Sequence, residues 1–267
     1  MSINLGIIGC GKMGHALMKG ISGNPSSYGD VYAYDVDEAR MRLFTEEFKA
    51  GAVAPGEVVA GSDMIILAVK PGQIKEVLQV TRDQWNGGKL LVSIAAGIKI
   101  ANIEKQLPEG VRVVRVMPNT PCLVGEGVSA ISGGHSASPE DLQMVGEMLG
   151  QVGLTITIEE TYMDAVTAVS GSGPAYAFLL AEAFMDAALS TGLSSDISRQ
   201  LVLQTLKGSI KMLEQTGAHP AVLKAQVTSP GGTTIAGLRE LEAGGLREAF
   251  FAAVEKAKQR SIELGAD

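Results

Sequence analysis

Residues 3–8 read as a buried strand, and Gly9-Cys10-Gly11-Lys12-Met13-Gly14 follows at once. A G-x-G-x-x-G set at the junction of a strand and a helix constrains the fold more than any other stretch of this chain. Gly9 permits the tight turn, Gly11 lets backbone approach a pyrophosphate, and Gly14 lets helix and strand pack closely. The free N–H groups and positive dipole end of a helix over 12–20 then face the phosphates, so Gly9, Gly11, Lys12, Met13 and Gly14 are candidate cofactor contacts. A second strand over 31–34 ends in Asp35, 21 residues after Gly14. An acid at that distance accepts the hydroxyls of an adenosine ribose. The same glycines also serve a ligand-free strand–helix turn; the added acid favours dinucleotide binding.

The apolar pattern beyond this motif alternates strand with helix. The first helix ends at Gly23-Asn24-Pro25. A helix over 38–48 follows the second strand, with Asp37 as its N-cap. Residues 63–69 are a nearly continuous apolar run, as a central parallel strand requires, and Pro71 opens a helix to about Thr81. Further strands are expected at 89–94, 111–117, 128–131 and 154–158, and helices at 100–107 and 139–149. From Thr161 onward only helical patterns remain, at 174–191, 198–215, 219–227, 233–241 and 246–264. This change of period predicts an α/β protein of two domains, a doubly wound sheet over 1–160 and an all-α part over 161–267. The 174–191 helix is apolar on nearly every face, with only Glu182 and Asp186 charged. It is expected to be buried inside its own domain or against another subunit.

Composition narrows the function classes. A net charge of −7 disfavours a nucleic-acid surface, and an anionic cofactor would need local cations such as Lys12 and Lys70. Cys10 and Cys122, the two cysteines, stand far apart, which suits a reducing compartment rather than a disulfide framework. No run reaches membrane-spanning length and the chain opens directly on a strand, so a cytoplasmic protein without a targeting segment is expected. No metal-ligand pattern is present in the sequence.

Ligands of open α/β sheets collect at the carboxyl ends of the strands. Besides the glycine loop and Asp35, those ends carry Ala68-Val69-Lys70-Pro71, Ile94-Ala95-Ala96-Gly97 and Met117-Pro118-Asn119-Thr120-Pro121. The small residues leave room for a flat ring. Asn119 is suited to bonding a carboxamide or to orienting a loop, and Lys70 to meeting a phosphate or to simple solvation. His15 reads as an ordinary first-turn side chain, and Cys122 as a small buried one. In the helical half, Ser170-Gly171-Ser172-Gly173-Pro174 interrupts apolar sequence. Thr228-Ser229-Pro230-Gly231-Gly232-Thr233-Thr234 leads into a helix whose N–H groups and hydroxyls suit a carboxylate, or merely cap the helix.

Taken together, IGCGKMG at 8–14, AVKPG at 68–72, SIAAG at 93–97, MPNTP at 117–121, AVSGSGPAY at 168–176, HPAVLK at 219–224 and VTSPGGTTI at 227–235 resemble the pyrroline-5-carboxylate reductase family over essentially the whole chain. The resemblance implies an N-terminal Rossmann domain and a helical substrate-binding and dimerisation domain. It implies NAD(P)H-dependent reduction of 1-pyrroline-5-carboxylate to L-proline, in homodimers that often assemble into decamers, with the site at the dimer interface. Cofactor contacts carry over to Gly9, Gly11, Lys12, Met13, Gly14, Asp35, Ala68, Val69, Lys70, Pro71, Ile94, Ala95 and Ala96. Ser229, Thr233 and Thr234 take the substrate carboxylate, Glu160 lies near the substrate, and Thr167 near the imine nitrogen.

One position departs from much of the family, where Ser or Thr follows the second strand and NADPH is used. Asp35 would repel a 2′-phosphate and favour NADH, although Arg40 and Arg42 are close in sequence. Hydroxy-acid reductases of similar layout usually carry a Lys on the first helix of the second domain. Residues 164–172 contain none. A cofactor-sensing regulator would bind NAD(H) without turning over the imine.

Overall fold

The computed structural model describes residues 3–22 and 28–265. The expected stop at Gly23-Asn24-Pro25 lies outside them. Eight strands form one sheet: β1 (Ile3–Ile8), β2 (Tyr28–Tyr34), β3 (Gly51–Ala52), β4 (Met64–Leu67), β5 (Leu90–Ser93), β6 (Arg112–Met117), β7 (Gly127–Gly133) and β8 (Gly153–Thr157). Their order is β3-β2-β1-β4-β5-β6-β7-β8, and every pairing is parallel except β6 with β7. Strand order reverses direction between β1 and β4, the place where doubly wound sheets open a crevice.

Helices α1 (Lys12–Ile21), α2 (Glu38–Phe48), α3 (Pro55–Gly61), α4 (Ile74–Val80), α5 (Ile100–Glu104) and α6 (Pro139–Leu149) cover the sheet. The central strand β4 is buried along its whole length, which explains its unbroken apolar sequence. On one face Leu5, Ile7, Met64 and Ile66 pack in one core with Leu17, Phe44 and Val145. On the other, Ile8, Ile65, Leu67 and Leu91 pack with Val58, Leu78 and Ile103. Asp37 caps α2 as expected, accepting from the N–H groups of Ala39 at 3.0 Å and Arg40 at 3.2 Å. The expected 71–81 helix begins as a tight 3-10 turn at Pro71–Gln73 before α4. The short β3 and α3 carry no periodic signal and went unforeseen.

The later chain is helical: α7 (Met163–Val166), α8 (Gly173–Ser190), α9 (Ser195–Thr216), α10 (Pro220–Gln226), α11 (Thr233–Ala243) and α12 (Leu246–Leu264). Within residues 170–174 only Ser172 stands outside a helical winding. Thr167–Gly171 winds as a π turn between α7 and α8, and Pro174 falls in the first turn of α8, where its missing N–H is harmless. The chain forms two compact units. One comprises Met1–Ser172 with Lys256–Asp267, the other Gly173–Glu255. The end of α12 therefore belongs to the strand-bearing unit. There Ser261 is buried and donates to Asp164 Oδ1 at 2.7 Å. No residue of α8 is buried within this chain, and Phe178 is 68% and Leu179 64% exposed. Of the two expectations for this helix, burial inside its own domain is thus excluded.

Candidate nucleotide and substrate sites

Register places the ends of β1, β2 and β4 level, with Ile8 opposite both Tyr34 and Leu67. The residues just past those ends surround a cavity of about 530 Å³. Its walls include Gly9, Gly11, Asp35, Val36, Arg40, Ala68, Val69 and Lys70. Gln73, Glu76, Val77 and Val80 complete one side. These were not foreseen, because only folding brings the 3-10 turn and α4 to the cavity that the glycine loop lines.

Gly9 has φ +106°, and a Cβ there would lie 2.6 Å from the carbonyl carbon and oxygen of Ala68. Gly14 admits no side chain either, since its Cβ would overlap the Gly9 carbonyl oxygen. Gly11 differs. A Cβ on it meets nothing within 4 Å, so its hydrogen keeps open the space into which α1 points its N-terminus. No side chain caps that N-terminus and no acid occupies its first turn. Uncapped N–H groups, the dipole and a Cβ-free approach together fit a diphosphate.

Both oxygens of Asp35 are engaged. Oδ2 accepts the Cys10 N–H at 2.7 Å and Oδ1 the Asp37 N–H at 2.9 Å. The carboxylate is thereby fixed at the cavity edge with lone pairs to spare for ribose hydroxyls. Arg40 lines the same cavity, and its Nε lies 3.2 Å from Asp37 Oδ2. The Cys10 thiol beneath is buried. Burial, and then the charge of Asp35, push its pKa up to about 12.

Other expected contacts stand apart from the cavity wall. Lys12 is exposed, and half-buried Met13 packs against the core. Pro71 starts the 3-10 turn. Ile94, Ala95 and Ala96 follow β5; Ala95 is buried, and Ile94 and Ala96 are half-buried. His15 bonds Glu47 at 2.6 Å. Asn119 orients a loop, because Nδ2 donates to the Ser170 carbonyl at 3.2 Å and Oδ1 accepts the Val128 N–H at 2.9 Å. Cys122 is buried, and its thiol pKa is raised by burial.

Glu160 Oε1 accepts from Arg115 Nη1 at 2.9 Å and from the Ile100 N–H at 2.7 Å. Thr167 opens the π turn, its hydroxyl donating to the Met163 carbonyl at 2.9 Å. Ser229, Thr233 and Thr234 belong to the second unit. Thr233 and Thr234 begin α11, whose N-terminus follows Gly232 and has no side-chain cap. Ser229 and Thr233 are exposed and Thr234 is half-buried. None of these hydroxyls caps the first turn of α11. Among the described residues, no three His, Cys, Asp or Glu side chains cluster as metal ligands. No described helix is long and apolar enough to cross a membrane.

Residues 160–264 match a family model described as pyrroline-5-carboxylate reductase dimerisation, and residues 4–97 match one described as NADP oxidoreductase, coenzyme F420-dependent. The chain is 43% identical to the pyrroline-5-carboxylate reductase of Methanosarcina acetivorans over 98% of this chain and 97% of that one. It is 40% identical to that of Glycine max over 98% and 96%. A crystal structure of Plasmodium falciparum pyrroline carboxylate reductase with NADP bound superimposes with a TM-score of 0.89 at 34% identity, covering 98% of each chain.

Proposed function

Because the chain belongs to the pyrroline-5-carboxylate reductase family, we propose that it reduces 1-pyrroline-5-carboxylate to L-proline with NADH at least as readily as with NADPH. NAD(P)H-dependent reduction of a cyclic imine follows from the family. The NADH preference is carried by one observation, the Asp35 carboxylate pinned by two backbone N–H groups at the cavity edge. A fixed negative charge there repels a 2′-phosphate, and Arg40 is already drawn to Asp37.

The nicotinamide, when bound, supplies the hydride. Gly9, Gly11, Lys12, Met13 and Gly14 hold the diphosphate, Asp35 the ribose, and Ala68, Val69, Lys70, Pro71, Ile94, Ala95 and Ala96 the remainder of the dinucleotide. Ser229, Thr233, Thr234 and the free N–H groups of α11 bind the substrate carboxylate, with Glu160 near the substrate. Thr167 serves the imine nitrogen. Its own proton is directed to the Met163 carbonyl, so its oxygen is free to accept from a protonated imine or to hold the water that protonates it. The iminium is the better hydride acceptor.

Residues 161–267 act as the dimerisation and substrate domain. The dimer, and decamers built from it, would cover the apolar face that α8 leaves exposed. Two buried free thiols suit the reducing cytoplasm. The deciding measurement is kcat/KM for both cofactors with 1-pyrroline-5-carboxylate. A tenfold advantage for NADPH would refute the reading of Asp35, and no turnover with either cofactor would refute the reaction itself.

A further inference from the structure

Arg115, Met117 and Asn119 alternate along β6 and its exit, and alternate residues of a strand share one face. All three meet a single later stretch, residues 160–171. Arg115 is 3% exposed and ion-pairs with Glu160 at 2.9 Å. The Met117 methyl occupies the place a side chain on Gly171 would take. Asn119, also buried, donates to the Ser170 carbonyl. The stretch so held contains the π turn, a winding uncommon in helices and frequent at functional sites. The pair is buried on the Arg115 side while the Glu160 side chain is 29% exposed; a half-buried pair is weak support for stability, because desolvation offsets the attraction, and its stronger effect is to select one geometry. A carboxylate whose Oε1 already accepts from a guanidinium and from the Ile100 N–H is suited to that purpose.

We propose that Arg115, Met117 and Asn119 form a template on β6 that sets the position of Thr167 for the reaction, and that Glu160 is the template's anchor rather than a group that touches substrate. This rests on the role given to Thr167 above. Glu160 and Asn119 are then positioning residues, acting through the π turn.

The test uses the full chain, with NADH affinity and thermal midpoint measured for every variant. Asn119→Asp keeps the acceptor for the Val128 N–H and removes the donor to Ser170. Glu160→Ala removes the anchor, whereas Glu160→Gln keeps its oxygen acceptor. For Asn119→Asp and Glu160→Ala, kcat should fall at least about tenfold, as displacement by an ångström can cost a hundredfold. NADH affinity should stay within about twofold, and amide exchange over 163–172 should rise. Glu160→Gln should recover kcat to within about threefold of the parent. Adding Thr167→Val to Glu160→Ala should lower kcat by less than about twofold more, because both act through one group. Additive losses would overturn the template alone, and so would a tenfold rise in the imine KM for Glu160→Gln. If Thr167→Val by itself left kcat unchanged, the role of Thr167 and the template would both fall. Should Asn119→Asp not fold, the Glu160 pair decides.

Discussion

Gly9 and Gly11 stand two residues apart and answer to different constraints. Gly9 is held at positive φ against the Ala68 carbonyl, so Gly9→Ala strains the turn itself. It should cost about 1–3 kcal/mol of stability from backbone strain alone, and cofactor binding with it. Gly11 has φ −72° and open space around it. Gly11→Ala should leave the thermal midpoint within about 2 °C while weakening NADH at least about tenfold, because the methyl would enter the diphosphate's place. Differential scanning fluorimetry with a fluorescence titration of NADH separates the two cases. The Cys10 thiol is a third case. With its pKa pushed up to about 12, the folded protein keeps it neutral, and iodoacetamide at pH 8 should label it only after denaturation. The sign for stability follows. In the unfolded chain the thiol ionises above its ordinary value of 9.0, so the contribution is complete below pH 9 and is lost as pH climbs toward 12. The thermal midpoint of Cys10→Ala should decline less steeply than the parent's over that range.

At the level of elements, the sequence made plain whatever is local. Continuous apolar runs marked the buried strands, and Asp37 marked the start of α2. The α3 helix escaped because its stabiliser is remote. Lys89 lies at the amino end of β5, is buried, and donates through Nζ to the carbonyls of Val59 at 2.6 Å, Ala60 at 3.3 Å and Ser62 at 2.8 Å. A lysine some thirty residues downstream completes the helix's C-terminus, and no window around 55–61 reveals it. Lys89→Met would leave those carbonyls short of a donor and should lower stability by about 1–3 kcal/mol, read as a shift in the urea midpoint. The π turn escaped for the same reason: Asn119 and Met117, some fifty residues earlier, shape Ser170-Gly171 into a winding that local composition describes only as a break. The cavity wall was legible in Gly9, Gly11 and Asp35, which local glycine geometry and one acid mark out. The α4 wall and the Arg115–Glu160 pair were not, since each is created by elements meeting.

For the whole molecule, α8 is the helix that leaves Phe178 and Leu179 exposed in the single chain. A charge at Phe178 or Leu179 would leave that surface unable to exclude water on association. Phe178→Asp should therefore shift sedimentation equilibrium from dimer toward monomer and reduce turnover, with cofactor binding by the strand-bearing unit retained. Tight dimers and full activity in this variant would remove α8 from the interface.

The strand-bearing unit is discontinuous in sequence, and its last piece is the end of α12. Gly97 sits at φ +79°, where a Cβ would press on Leu264 and the Ser261 carbonyl at 3.1 Å, Gly265 has no room for a side chain against the Gly97 carbonyl, and Asp164 awaits the Ser261 hydroxyl. During synthesis on the ribosome this face stays bare while the whole second unit is translated, on the order of ten seconds at ordinary elongation rates. The domain whose first residues emerge earliest is thus the one completed last, and a nascent chain stalled before Lys256 would present an unfinished surface to chaperones.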